Sequence, residues 1–70
     1  MSIERFATEE QARKFARKMS NDGVARYVIE SPPKPDEPID AELRFVVDTD
    51  GFTRSWERSI AVYEDGKAQP

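Results

Sequence analysis

Residues Glu42–Tyr63 read ELRFVVDTDGFTRSWERSIAVY, and this stretch decides the fold. Apolar and polar residues alternate on both sides of Asp50-Gly51, as in half-buried strands joined by a tight turn. If Asp50-Gly51 is a two-residue turn of the primed kind, Thr49 faces Phe52. Val47 then pairs with Arg54, Val46 with Ser55, Phe45 with Trp56, and Arg44 with Glu57. That register sets an aromatic pair on one face and opposite charges on the other, each worth about 0.2–1 kcal/mol. A longer loop over Asp48–Gly51 would shift it. Ile60 and Val62 would continue the face of Trp56, the only tryptophan.

Upstream lies a helix signal. Thr8 stands as N-cap, with Gln11 three residues on. Glu9 and Glu10 place negative charge where the helix dipole favours it. Ala12, Phe15, Ala16 and Met19 form one apolar stripe, and Asn21-Asp22-Gly23 supplies a stop. The spacing predicts a helix from about Glu9 to Asn21. Met1–Phe6 is a short first strand at best. Val24–Glu30, VARYVIE, is β-branched and aromatic and reads as a strand. Arg26 and Glu30 favour Ala25, Tyr27 and Ile29 as its inward face.

Ser31–Asp40, SPPKPDEPID, holds four of the five prolines and reads as a loop. Its Pro32 and Pro35 match the spacing of a docking motif for proline-rich segments. The sum is an α+β domain of order β-α-β-β-β over residues 1–64. It has two layers, with one helix on a small mixed sheet of three to four strands and a C-terminal hairpin. Residues 65–70 form a polar tail expected to fray. One helix covers one face of such a sheet, leaving the other to water or a partner. A core of this size gives marginal stability, which association into a homodimer would raise.

Composition excludes much. The 70 residues contain no cysteine and no histidine. Disulfides, cysteine or histidine metal sites and Ser–His–Asp or Cys–His catalysis are therefore unavailable within the chain. The three glycines are isolated, so no phosphate-cradling loop exists. The acids Asp36, Glu37, Asp40 and Glu42 lack the glycine-centred cage of a calcium loop. Asp48-Thr49-Asp50-Gly51 has Ser59 where a calcium loop needs glutamate. No enzyme activity, cofactor or metal is expected. No stretch suits a membrane span or an export signal, which points to the cytoplasm.

The net charge is −3, with 36% of residues charged. Residues 1–29 carry six basic and four acidic side chains, residues 30–50 two and seven, residues 51–70 three and three. Two surfaces stand out for binding. One is Arg54, Trp56 and Arg58, since tryptophan and arginine are enriched in interface hot spots. The other is the acidic loop with Asp36, Glu37 and Asp40. Trp56 is either core, with Arg54 and Arg58 at its edges, or the anchor of an open face. A bulge near Arg58 would reset the alternation. These features point to a non-catalytic protein-binding module, an accessory or inhibitory factor of the kind found in phages and mobile elements. The rival is a single-stranded nucleic-acid binder using Arg13, Lys14, Arg17, Lys18, Arg54, Trp56 and Arg58.

Phe6, Ala12, Ala16, Gly23, Val24 and Tyr27 are spaced F-x5-A-x3-A-x6-G-V-x-x-Y. This spacing is similar to one βα repeat of peptidoglycan-binding SPOR domains. The second half of the chain lacks the matching helix, so no residue roles follow from it.

Overall fold

The computed structural model describes residues 4–70; the start of the expected first strand, Met1 to Ile3, lies outside them. The elements run β1 (Glu4–Phe6), α1 (Glu9–Met19), a 3-10 turn (Ser20–Asp22), β2 (Arg26–Glu30), β3 (Phe45–Asp48), β4 (Arg58–Glu64) and β5 (Lys67–Ala68). The result is α+β: one helix on a five-stranded sheet of order β1-β3-β2-β4-β5. All neighbouring strands are antiparallel, so the expected mixed sheet is corrected. β1 and β2 run in the same direction, but β3 inserts between them.

That insertion also removes the expected β3–β4 hairpin. Both edges of β3 are occupied, by β1 and β2, so β4 pairs on the far side of β2. Phe45 lies opposite Phe6 and Glu30 instead of Trp56, and residues 49–57 form a loop. The hairpin that does form joins β4 to β5 through Asp65-Gly66, with φ of 51° and 77°. Two consecutive residues in the left-handed region are what a primed two-residue turn requires. The segment expected to fray therefore contributes a strand.

Thr8 caps α1 as its sequence implies, its Oγ1 accepting the Gln11 N–H at 3.2 Å. The buried Ala12 and Ala16 let the helix approach the sheet closely, and Phe15 packs on Phe6 with ring centroids 5.2 Å apart. Gly23 ends the 3-10 turn at φ 88°, a conformation that glycine adopts without steric cost. Ser20 is buried, its Oγ donating to Arg17 O and accepting the Gly66 N–H, both at 2.9 Å. This ties the helix end to the β4–β5 turn.

The register sorts side chains into rows. Glu4, Val47, Val28 and Ala61 form one, and Phe6, Phe45, Glu30 and Arg58 another. These rows face the helix, since Val28 and Val47 share the core with Ala12, Ala16 and Tyr63. Val28, not Ile29, therefore faces the helix on β2, against the expectation. Its charged neighbours are tolerated because they are paired at the margins. Arg26 bonds Asp22 at 2.8 Å, and Glu30 bonds Arg58 at 3.0 Å. A bulge at Ile60 shifts the β2–β4 register between Val28 and Ile29. Ile60 and Ala61 both pack on the helix-side core, whereas Val62 pairs with Tyr27 in the opposite set of rows.

The second face carries Arg5, Val46, Ile29, Tyr27, Asp48 and Val62. It is only partly open. Ile29 is 3% exposed and Val46 6%, because residues 49–57 fold back across them. Gly51 lies so close to Tyr27 that a Cβ there would stand 2.7 Å from the ring. Trp56, outside any strand and 41% exposed, belongs to this covering loop and not to the core.

Candidate functional site

Two excursions from the sheet meet over its second face: residues 31–44, between β2 and β3, and residues 49–57, between β3 and β4. The first is closed at its neck. The Ser31 N–H donates to Arg44 O at 2.7 Å. Arg5 Nη1 reaches from β1 to Ser31 O and Leu43 O, at 3.1 Å each. One guanidinium thus holds both ends of the proline-rich loop.

Each excursion then makes the same local turn. In Lys34-Pro35-Asp36-Glu37, the Glu37 N–H donates to Lys34 O at 3.0 Å, and Glu37 Oε1 accepts the Lys34 N–H at 2.8 Å. In Arg54-Ser55-Trp56-Glu57 the corresponding bonds are 2.9 and 2.8 Å. A glutamate three residues after a turn's first residue can satisfy that residue's N–H, the reciprocal bonding of a capping box used without a helix. The two excursions are joined where the Ser31 hydroxyl donates to Glu57 Oε2. Burial pushes the Glu57 carboxyl up. The Ser31 hydroxyl, the Arg54 N–H and the charges of Arg54 and Arg5 outweigh it, holding the group below its ordinary value.

The first residue of each turn is basic, and both basic side chains lie on the Trp56 ring. Lys34 Nζ is 4.1 Å from the ring centroid and Arg54 Cζ 5.7 Å. Both distances fall within cation–π range. Between the two excursions lies an open cleft of about 360 Å³, bordered by Arg5, Lys34, Arg54, Asp36, Glu37 and Glu57 around Trp56 and Ser31. A neighbouring cavity of about 230 Å³ shares Arg5, Arg54 and Glu57 and reaches Phe52, which is 71% exposed. Two exposed aromatics and two cations thus crowd one end of the second face.

The structure brings Asp36, Glu37, Arg54 and Trp56 together as one site. Asp40 is not part of the cleft: its carboxylate accepts the Glu42 N–H at 2.9 Å within a turn of its own. Arg58 lies in a helix-side row and pairs with Glu30. The expected grouping of Arg54, Trp56 and Arg58 on one strand face is therefore corrected, since the loop separates the first two from β4. Arg13, Lys14, Arg17 and Lys18 lie on α1, across the sheet from Trp56. Arg13 pairs there with Glu9 at 2.7 Å and also donates to Tyr63 Oη, and Lys14 approaches Glu10 at 3.7 Å. Arg17 stands over the Tyr63 ring at 5.9 Å.

Sequence reasoning missed Arg5, Ser31, Lys34, Phe52 and Glu57. The signal that reveals Lys34 and Glu57 is the repeat of a basic residue followed at the fourth position by glutamate, K-P-D-E and R-S-W-E, each in a non-helical stretch. Among the described residues, no group of three or more Asp or Glu side chains is placed to hold a metal ion. No described helix is long and apolar enough to cross a membrane. No protein-family model, curated protein or solved structure matches this chain.

Proposed function

We propose that this protein is a non-catalytic protein-binding module, acting in the cytoplasm as an accessory or inhibitory factor. The observation that carries this reading is the exposure of two aromatics, Phe52 and Trp56, in neighbouring cavities that share Arg54, with Lys34 on the Trp56 ring. All four belong to two loops tied together by hydrogen bonds: Arg5 of β1 holds the ends of the first, and Glu57 joins the second to Ser31. Aromatic and arginine side chains on a pre-ordered surface are what a partner uses for most of its binding energy. Pre-ordering also lowers the entropy lost on docking.

The nucleic-acid reading is weaker on this geometry. Its basic residues divide between two layers of the molecule, and half of the helix set is paired with glutamates. The Lys34 ammonium occupies a face of Trp56 that a base would need for stacking. Asp36, Asp48 and Asp50 border the two cavities and would repel a phosphate chain.

The test is affinity capture from the host lysate with and without nuclease, comparing the wild-type chain with Phe52→Ser and Trp56→Ala. A stoichiometric protein retained by the wild type and lost by both variants supports the reading. Retained nucleic acid, with all protein lost after nuclease, refutes it.

A further inference from the structure

Every glycine in the chain follows an aspartate: Asp22-Gly23, Asp50-Gly51 and Asp65-Gly66. An aspartyl-glycyl bond is open to attack from within the chain, because glycine has no side chain to shield its nitrogen from the neighbouring carboxyl. The fold treats the three pairs differently. The Gly23 N–H donates to Ser20 O at 3.2 Å, and the Gly66 N–H to the buried Ser20 hydroxyl at 2.9 Å. Asp22 lies in the 3-10 turn, with its two carboxylate oxygens on the Arg26 guanidinium at 3.2 and 2.8 Å. Arg26 and the Val24 N–H hold that carboxyl below its ordinary value, which keeps it ionised. Asp65 and Gly66 are fixed in the β4–β5 turn between paired strand residues. Asp50-Gly51 has none of these restraints. Both residues are exposed and outside any helix or strand, and the Gly51 N–H makes no hydrogen bond among the described residues. The Asp50 carboxylate accepts the Phe52 N–H at 3.0 Å, a turn that folds the side chain back over the Gly51 nitrogen.

We propose that Asp50-Gly51 is a site of spontaneous covalent modification, where Asp50 converts to isoaspartate through a cyclic imide while the fold protects the other two pairs. The Gly51 nitrogen bonds to Asp50 Cγ and gives up its proton. The Cγ–OH bond of the protonated carboxyl breaks, and hydroxyl and proton leave together as water. A solvent water then adds to one of the two ring carbonyls, whose bond to the nitrogen breaks as the nitrogen regains a proton. Opening at Cγ restores aspartate. Opening at the main-chain carbonyl leaves the chain running through Cγ, with one extra methylene in the backbone and an unchanged mass. Attack needs the two groups within reach and free to align. At Gly23 and Gly66 a hydrogen bond and a fixed turn must open first, and local opening there costs free energy. The product loses the bond from Asp50 to Phe52 and shifts Gly51, which has no spare room beside the Tyr27 ring. The modification therefore acts on the loop that covers Ile29 and Val46 and presents Phe52, whatever that surface binds.

Cleavage after lysine and arginine puts the three pairs in separate peptides, residues 19–26, 45–54 and 59–67. The full chain is incubated for weeks in mildly acidic buffer, where a larger share of each carboxyl is protonated. One sample is native and one is unfolded in guanidinium; both are then digested. Liquid chromatography with electron-transfer fragmentation, which breaks the Cα–Cβ bond that isoaspartate places in the backbone, scores each pair. In the native chain the 45–54 peptide should gain isoaspartate at least about tenfold faster than the other two. In guanidinium the three rates should converge, since only the fold distinguishes the pairs. Asp50→Glu should abolish the isomer, because glutamate would have to close a larger ring, and circular dichroism checks that this variant folds. Equal rates in the native chain, or a faster rate at Asp22 or Asp65, overturn the proposal. So does isomer persisting in Asp50→Glu, or none at Asp50 in the native chain while guanidinium produces it.

Discussion

Replacing Glu57 by alanine should uncouple the two loops from each other. The carboxylate makes two hydrogen bonds: Oε1 accepts the Arg54 N–H at 2.8 Å, and Oε2 accepts the Ser31 hydroxyl. A bond to a charged acceptor contributes about 1.5–3 kcal/mol, and a buried donor left without a partner costs about 1–3 kcal/mol. The two bonds are not equally costly to lose. The Arg54 N–H is exposed and rehydrates at little cost. Ser31 is 2% exposed, so its hydroxyl stays stranded. The expected loss is therefore about 2–3 kcal/mol, or a fall in Tm of about 10–20 °C for a chain of this size. Glu57→Gln keeps an acceptor oxygen and should cost about 1 kcal/mol. Ser31→Ala combined with Glu57→Ala should show a coupling of about 1–2 kcal/mol.

The pH dependence sharpens the test. The folded carboxyl titrates below its unfolded value of 4.5. The unfolded chain therefore binds the proton first as pH falls, and the charge favours the native state above that value. The wild-type advantage over Glu57→Gln, which does not titrate there, should be full at pH 7. It should begin to shrink below about pH 4.5 and vanish once the pH passes the folded value. Urea denaturation followed by circular dichroism, from about pH 2.5 to about pH 7, measures this. A Glu57→Ala cost under about 0.5 kcal/mol, or a gap that does not narrow in acid, would refute the idea that Glu57 locks the loops.

Gly51→Ala should destabilise by about 1–3 kcal/mol, because the added Cβ stands 2.7 Å from the Tyr27 ring and one of them must move; chemical denaturation reads the loss, and Tyr27→Leu should relieve part of it. Gly66→Ala should cost more than Gly23→Ala in the same assay. Both residues have positive φ, a penalty of about 1–2 kcal/mol for alanine. Only the Gly66 Cβ also meets a neighbour, Asn21 Oδ1 at 2.5 Å. Iodide should quench Trp56 emission more strongly than caesium, since Lys34 and Arg54 flank the ring; Lys34→Glu should shrink the difference, and equal quenching in the wild type would place the cations away from the ring.

Local interactions made half of this protein legible. Thr8, the Ala12–Phe15–Ala16–Met19 stripe and Gly23 specify α1 because caps, periodicity and left-handed glycine act within a few residues. The strand character of Arg26–Glu30, Phe45–Asp48 and Arg58–Glu64 was equally visible, as was the proline-rich break between the first two. Strand partnership was not. Asp50-Gly51 and Asp65-Gly66 carry the same turn residues, and only the second closes a hairpin. The choice depends on whether β1 and β2 both flank β3, a long-range competition that no local pattern records. The bulge at Ile60 hid the true face of Val62 for the same reason.

The candidate site divides along that line. Trp56 and Arg54 drew notice by residue type, and Asp36 and Glu37 by charge. Their meeting, with Lys34 on the tryptophan ring and Glu57 binding Ser31, joins residues more than twenty positions apart. By itself the sequence determined the helix, the three central strands and the absence of histidine and cysteine chemistry. Only the tertiary structure decided that β3 enters between β1 and β2, which frees residues 49–57 from strand pairing. Backbone N–H and C=O groups freed from a ladder must find partners elsewhere. In this loop some of them found Glu57 and a turn, and that turn holds Trp56 at the surface.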